Sequence, residues 1–281
     1  MKTYYKNIAL LLTIILTSCT DVIDVEVQVA APRLVIEASI DWEKGTLGNE
    51  QTIKLSTSTP YFDSDEISIV TGASVKVTND NDGTEFVFLD QNNGNYTVSN
   101  FIPEINQSYT LEVIYEGETY NAHENMMSVV DIDAIYQTTE KGFDNEVLEI
   151  NADFNDPIEE ENYYLFKLKR QNDLLPILLD ISDEFTNGNL TTVFYEREKD
   201  EDINQEEFVV GDIVDVEFYG ISEQYYNYIG LLIVQYESLG DPFSTTPVPL
   251  KGNCTNTTSP ENYAFGYFRL SQVVKDSYTF E

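Results

Sequence analysis

The chain has 281 residues, of which 15 are Lys or Arg and 50 are Asp or Glu, so its formal net charge is −35 at pH 7. Such a charge repels nucleic-acid phosphates and anionic lipid, which excludes a nucleic-acid-binding protein and electrostatic adsorption to a membrane. Hydrophobic residues make up 42% of the chain, which is enough for packed cores and argues against a disordered protein.

Residues 1–18 have the organisation of a signal peptide. Lys2 and Lys6 are followed by an apolar run over 8–16. This run is too short for a transmembrane helix, which needs about 20 apolar residues, but it has the length of a signal-peptide core. The sequence therefore predicts an exported protein.

The end of this segment, Leu16-Thr17-Ser18-Cys19, resembles the bacterial lipobox. The resemblance implies cleavage before Cys19 and acylation of its thiol and new N-terminus, which is sufficient for stable anchoring. Thr20 stands where an inner-membrane retention signal has Asp. We therefore expect a chain that is anchored to the outer membrane by a lipidated tether over 19–31, at the cell surface rather than on the periplasmic face.

Lipidation also changes the interpretation of the two cysteines. If Cys19 carries lipid, Cys254 has no intrachain partner, and its Gly- and Asn-containing surroundings predict a free thiol in a loop. One remaining Cys and one His do not make a Cys/His zinc site.

Residues 32–130 have the pattern of an immunoglobulin-like β-sandwich. Alternating strands over 73–78 and 84–88 flank the polar turn Asn79–Gly83, which is typical of a β-hairpin. Strands of this kind, about seven in about 100 residues, predict the sandwich.

The pattern of residues 131–281 predicts a second, sandwich-like β domain. Leu148, Ile150, Ala152 and Phe154 alternate with Glu149, Asn151 and Asp153, which indicates a sheet with one solvated face. A helix is predicted near 222–238, where Ser222 can cap its start and an apolar stripe runs along one side. Additional apolar residues widen the stripe, so we expect this one helix to be largely buried.

The order of several short phrases resembles an uncharacterised Bacteroidetes-type outer-membrane lipoprotein family, a domain of unknown function. The phrases that carry the resemblance are Pro32–Glu37, Thr71–Val75, Phe154–Pro157, Asn162–Tyr164, Tyr225–Tyr228, Asp241–Phe243, Gly252-Asn253 and Gly266–Phe268. Members are often encoded beside TonB-dependent receptors, so the resemblance implies a possible transporter partner and an accessory role in uptake. It supplies no catalytic residue.

Two constellations suggest metal or carboxylate chemistry. Asp80 and Asp82 could bind Ca²⁺ in their turn, but the spacing does not match an EF-hand and turn-residue preferences favour a polar hairpin turn. Asp153, Asp156 and the run Glu159–Glu161 could supply paired carboxylates for glycoside hydrolysis. In a chain this acidic, such pairs also arise by chance. We expect no cofactor.

Tyrosines suggest a binding surface. Five of them are close in sequence toward the C-terminus and could either contact a ligand or pack in a core: Tyr225, Tyr226, Tyr228, Tyr263 and Tyr267. The single His123 has no nucleophile-elbow motif beside it and is interpreted as a surface or junction residue.

These observations favour a lipid-anchored, non-enzymatic binding or scaffold module, accessory to a TonB-dependent uptake system. The alternatives are an extracellular carboxylate-dependent glycan hydrolase and a surface adhesin.

Overall fold

The computed structural model describes residues 31–59, 68–158, 161–183, 188–200, 205–238 and 249–281. The predicted signal peptide, Cys19 and the tether up to residue 30 lie outside these ranges. No helix in the described part of the chain is long and apolar enough to cross a membrane.

The described residues are mainly β, as predicted. The strands are β1 (Leu34–Glu43), β2 (Gln51–Thr57), β3 (Ser68–Ile69), β4 (Ser74–Asn79), β5 (Glu85–Asp90), β6 (Asn95–Val98), β7 (Ser108–Tyr115), β8 (Glu118–Met127), β9 (Ala134–Thr138), β10 (Glu149–Asn155), β11 (Tyr163–Arg170), β12 (Ile177–Ser182), β13 (Leu190–Glu196), β14 (Ile213–Ile221), β15 (Thr255–Asn256) and β16 (Phe265–Thr279). One helix, α1 (Glu223–Glu237), follows β14.

Eight strands form a closed barrel in the order β16-β1-β2-β6-β5-β4-β7-β8. β1 pairs in parallel with β16 from Val35↔Phe265 to Glu43↔Val273. The ring closes where β16 pairs in parallel with β8 at Leu270↔Met126. Alternate side chains of these strands point inward, and a continuous apolar core that includes Ile36, Tyr96 and Phe268 fills the interior.

The prediction of an immunoglobulin-like β-sandwich joined to a second sandwich-like domain is therefore wrong. Local alternation identifies strands and hairpins, and the predicted hairpin does form, with Thr78 opposite Glu85. It does not reveal that β16, from the C-terminal region, inserts beside β1 and closes the barrel. Such pairings join residues far apart in sequence; Asp41 and Arg269, which form an ion pair between these strands, are 228 residues apart.

β16 continues beyond the barrel and carries a second layer. Its later residues pair with β14, and the sheet extends through β11 to the edge strand β12. A separate three-stranded sheet, β13-β10-β9, covers one face of this extension, where Phe154 lies 4.9 Å from Phe218 between ring centroids. Helix α1 covers the opposite face through a third apolar cluster.

Candidate functional site

Helix α1 begins as the sequence predicts. The Ser222 side chain caps it by accepting a hydrogen bond from the Tyr225 amide at 3.2 Å, and Glu223 occupies the first turn, where the helix dipole favours negative charge. Tyr225 and Ile229 are buried against β11, β14 and β16. Gly230 allows close approach to β12, because a Cβ there would lie 2.9 Å from Asp180 Oδ2.

The prediction that this helix is largely buried is wrong. Its second half leaves Leu232 40% exposed and Tyr236 63% exposed, and Leu231 and Val234 are also exposed. The cause is the sheet beneath it. The first half of α1 packs on central strands, whereas the second half lies beside β12, the edge strand, beyond which the described chain has no further strand to cover it.

The structure brings together three of the five predicted tyrosines. Tyr267 lies 5.0 Å from Tyr225 and 4.8 Å from Tyr228 between ring centroids. Tyr225 and Tyr267 are buried, and burial raises the pKa of Tyr228 to about 12. This cluster fixes α1 to β16 and offers little ring surface to a ligand.

The other two tyrosines lie elsewhere. Tyr226 packs against Tyr163 at 5.1 Å between ring centroids. The Tyr263 ring has the Arg33 guanidinium and the Lys251 ammonium each 3.9 Å from its centroid, so cations already occupy this ring.

A polar cleft lies at the start of α1, where the helix meets the barrel wall and β11. Its volume is about 550 Å³, and its lining includes His123 and Glu124 of β8, Glu161, Tyr163, and the first residues of the helix. His123 is mostly exposed at this cleft, and its Nδ1 lies 2.7 Å from Thr110 Oγ1. Sequence reasoning placed this residue at a surface or junction but did not associate it with a cleft.

Glu124 is the buried carboxyl of the polar cleft. One oxygen accepts hydrogen bonds from Ser222 Oγ at 2.8 Å and Tyr267 OH at 3.2 Å, and the other accepts from the Asn125 amide at 3.0 Å. Burial raises the pKa of Glu124, although these hydrogen bonds act against that rise. Three protein donors occupy the carboxyl, so it serves to hold the helix start and β16 to β8.

Sequence reasoning missed Glu124, yet a signal was available. In β8 it occupies the same alternating face as Tyr120, Ala122 and Met126, which are all buried. A carboxyl on an inward-facing position of a strand is unusual and marks a specific polar contact.

A buried cation lies under the first half of α1. Arg269 is 1% exposed. Its guanidinium forms an ion pair with Asp41 at 2.6 Å and lies 4.7 Å from the Tyr219 ring centroid and 5.2 Å from that of Tyr225. These contacts connect β16, β1 and α1 and help to hold the start of the helix in place.

An apolar groove lies at the other end of α1. We use this name for the surface between the second half of the helix and β12 with the turn before it, lined by Leu175, Pro176, Ile177, Leu178, Leu232, Ile233, Tyr236 and Glu237. Its volume is about 340 Å³. Leu175 is 58% exposed, and the adjoining Leu174 is also exposed. Exposed apolar surface of this kind makes the groove a candidate interaction site.

The predicted Ca²⁺ turn has its carboxylates engaged. Asp80 accepts hydrogen bonds from Ser108 Oγ at 2.9 Å and Thr110 Oγ1 at 2.6 Å, whereas Asp82 accepts from the Thr84 amide at 2.8 Å. That last bond is the main reason the pKa of Asp82 is lowered. The two side chains therefore bond different parts of the hairpin and do not converge. Across the described ranges, no group of three or more His, Cys, Asp or Glu could hold a metal ion.

The other predicted chemical groups are dispersed. Asp153 accepts a hydrogen bond from Thr192, and Asp156 accepts one from Tyr164 OH at 2.8 Å, while Glu159 and Glu160 lie outside the described residues. Cys254 is a free thiol, and burial raises its pKa to about 12, which makes it unreactive.

Comparison with protein families identifies the chain. The model of a domain of unknown function, DUF4249, matches residues 20–277. The chain belongs to this family. The match of a DUF4249 domain over almost the whole chain agrees with the expected membership of an uncharacterised domain family. No curated protein matches the chain.

Two solved structures are similar to this chain at low sequence identity. The chicken interferon gamma receptor alpha chain is 12% identical, with 69% of this chain and 90% of that chain covered and a TM-score of 0.22. A two-domain fibronectin type III segment of chicken tenascin is 10% identical, with 67% and 90% covered and a TM-score of 0.21.

Proposed function

We propose that this protein is a lipid-anchored, non-enzymatic binding module of the outer membrane, accessory to a TonB-dependent uptake system, and that its apolar groove binds the receptor. The observation that carries the proposal is the exposed apolar surface at the second half of α1, between Leu175, Leu232 and Tyr236, in a chain with a net charge of −35.

The charge favours a protein partner over lipid for this groove. A strongly negative chain is repelled by anionic headgroups, so an apolar patch on it is better covered by protein than by a membrane surface. Tyrosine side chains such as Tyr236 are enriched in the central part of protein interfaces, where a partner's side chains exclude water.

The edge strand beside the groove provides a second mode of contact. β12 pairs with β11 on one side, and within the described chain no strand pairs with its other side. A strand of the partner can add to such an edge while its side chains enter the adjoining groove. The receptor segment that we expect to bind is therefore extended, with apolar side chains on one face.

The lipid anchor and the receptor partner in this proposal are inferred from the sequence. The lipobox-like segment ending at Cys19 supplies attachment at the outer membrane, and the family resemblance supplies the receptor as partner. In the polar cleft, Glu124 is engaged by three donors, which supports a structural role for this carboxyl.

Affinity purification from solubilised outer membranes tests the proposal. We expect a TonB-dependent receptor, identified by mass spectrometry, to co-purify with the full-length protein. We expect its yield to fall by more than about tenfold with Leu232→Glu, because a carboxylate in the groove must be desolvated on binding.

Ile102→Glu is the matched control, since Ile102 is exposed on the barrel away from the groove. Both variants should keep the unfolding temperature of the unchanged protein. Absence of a receptor from the purified material, or equal capture by Leu232→Glu, would refute the proposal.

A further inference from the structure

The polar face of β10 is buried, contrary to the solvated face that its alternation predicts. Glu149 and Asn151 are both 0% exposed. They lie beside β9 and β13, with Glu149 directly opposite Thr138 on one side and Glu196 on the other. Polar groups placed in a sheet interior need partners there, because burial removes their water.

Two carboxylates meet at this position. Glu149 Oε1 accepts hydrogen bonds from Thr138 Oγ1 and, at 2.9 Å, from the Lys141 amide. Glu196 Oε2 lies 3.3 Å from the Asp144 amide, which donates to it. A Cβ built on Gly142 would lie 1.5 Å from Glu196 Oε2 and 2.9 Å from Glu149 Oε2, so both side chains approach one point beneath the loop over 139–148.

Three acceptor oxygens remain unused around this point. Glu149 Oε2, Asn151 Oδ1 and Glu196 Oε1 are buried and have no hydrogen-bond partner among the described residues. The Asn151 amide nitrogen donates to Thr138 Oγ1 at 3.2 Å, which ties this residue to the hydroxyl that donates to Glu149. The unused atoms are all oxygens, and two of them belong to carboxyl groups.

No described basic side chain balances the negative charge of this cluster. No ion pair joins Glu149 or Glu196 to a described Lys, Arg or His. Carboxyl groups in a buried position without a cationic partner ordinarily require a bound cation or further donors.

We propose that Glu149, Glu196 and Asn151 form a Ca²⁺-binding site that joins β10, β13 and the loop over 139–148. Carboxylate and amide oxygens are the ligands that Ca²⁺ prefers, and backbone carbonyls or water complete its 6–8 ligands. Gly142 lets the loop backbone come close to both carboxylates. The ion would fix this loop over the sheet, independently of the apolar groove and of any receptor.

Calorimetric titration with CaCl₂ and thermal unfolding test the site in the full-length protein, stripped of metal with a chelator, in detergent with about 150 mM KCl to screen diffuse binding. We expect saturable binding of one Ca²⁺ and a higher unfolding temperature with Ca²⁺ than with the same concentration of Mg²⁺. Glu149→Gln and Glu196→Gln should each weaken binding by more than about tenfold, because each removes a charged ligand.

Gly142→Ala provides a variant that keeps every ligand. Its added methyl group must displace the Glu196 carboxylate, so we expect weaker Ca²⁺ binding and an unfolding temperature without metal close to that of the unchanged protein. Asp82→Asn, in the exposed turn of the barrel hairpin, is the control and should bind Ca²⁺ normally. Absence of binding, equal binding by the Glu149 and Glu196 variants, or loss of binding in Asp82→Asn would overturn the proposal.

Discussion

The two halves of helix α1 have similar apolar sequences but different surroundings. The first half buries Tyr225 and Ile229 on the central strands and is held by Ser222, Glu124 and the ion pair beneath it. The second half exposes Leu232 and Tyr236 beside an edge strand. An apolar stripe identifies the helix and its inner side, whereas the extent of the sheet below decides how much of the stripe is covered. The exposed part is the surface that we propose for the partner.

The largest expected effect is the loss of a buried side chain in the first half. Ile229 is 4% exposed, so Ile229→Ala should lower the free energy of unfolding by about 2–4 kcal/mol through lost burial and a cavity. Val234→Ala, in the exposed second half, should change it by less than about 0.5 kcal/mol. Urea unfolding followed by circular dichroism measures both. Similar costs for the two variants would remove the distinction between the halves.

A smaller effect should come from the buried carboxyl that holds the helix start. Since burial raises the pKa of Glu124 in the folded protein, the folded state keeps this proton to higher pH than the unfolded chain does. The contribution of Glu124 to the free energy of unfolding is therefore greatest below the ordinary glutamate pKa and falls as the pH rises through the raised value.

Glu124→Gln should abolish this fall. The free energy of unfolding of the variant, relative to the unchanged protein, should thus increase as the pH rises from about 4 toward neutrality. Urea unfolding at several pH values measures the difference. Glu223→Gln, in the exposed first turn of α1, controls for the loss of one charge. A difference that stays constant with pH would contradict the role assigned to Glu124.

Local features of the fold were accessible from the sequence. The polar turn and its flanking strands predicted the hairpin of β4 and β5, and Ser222 with the apolar stripe predicted α1 within one residue at each end. Each depends on residues close together in the chain, where turn chemistry and periodicity act directly.

Features that depend on distant residues were not accessible. The parallel pairing of β16 with β1 and β8 closes the barrel, and no local pattern specifies that register. The burial of Glu149 and Asn151 depends in the same way on a loop and two neighbouring strands. Of the predicted binding tyrosines, Tyr225 and Tyr267 pack in a core because α1 lies over β16. Predicting the apolar groove would require knowing where the sheet ends.

Cysteine accessibility at the second half of α1 tests the central claim most directly. Cys254 is buried, so a maleimide reagent should report mainly on an introduced thiol. Tyr236→Cys places it in the apolar groove, and Ile102→Cys places it on exposed barrel surface. We expect Tyr236→Cys to label several-fold more slowly in intact outer membranes than after purification in detergent, relative to Ile102→Cys. Equal relative labelling in both states would show that nothing covers the groove and would contradict the account.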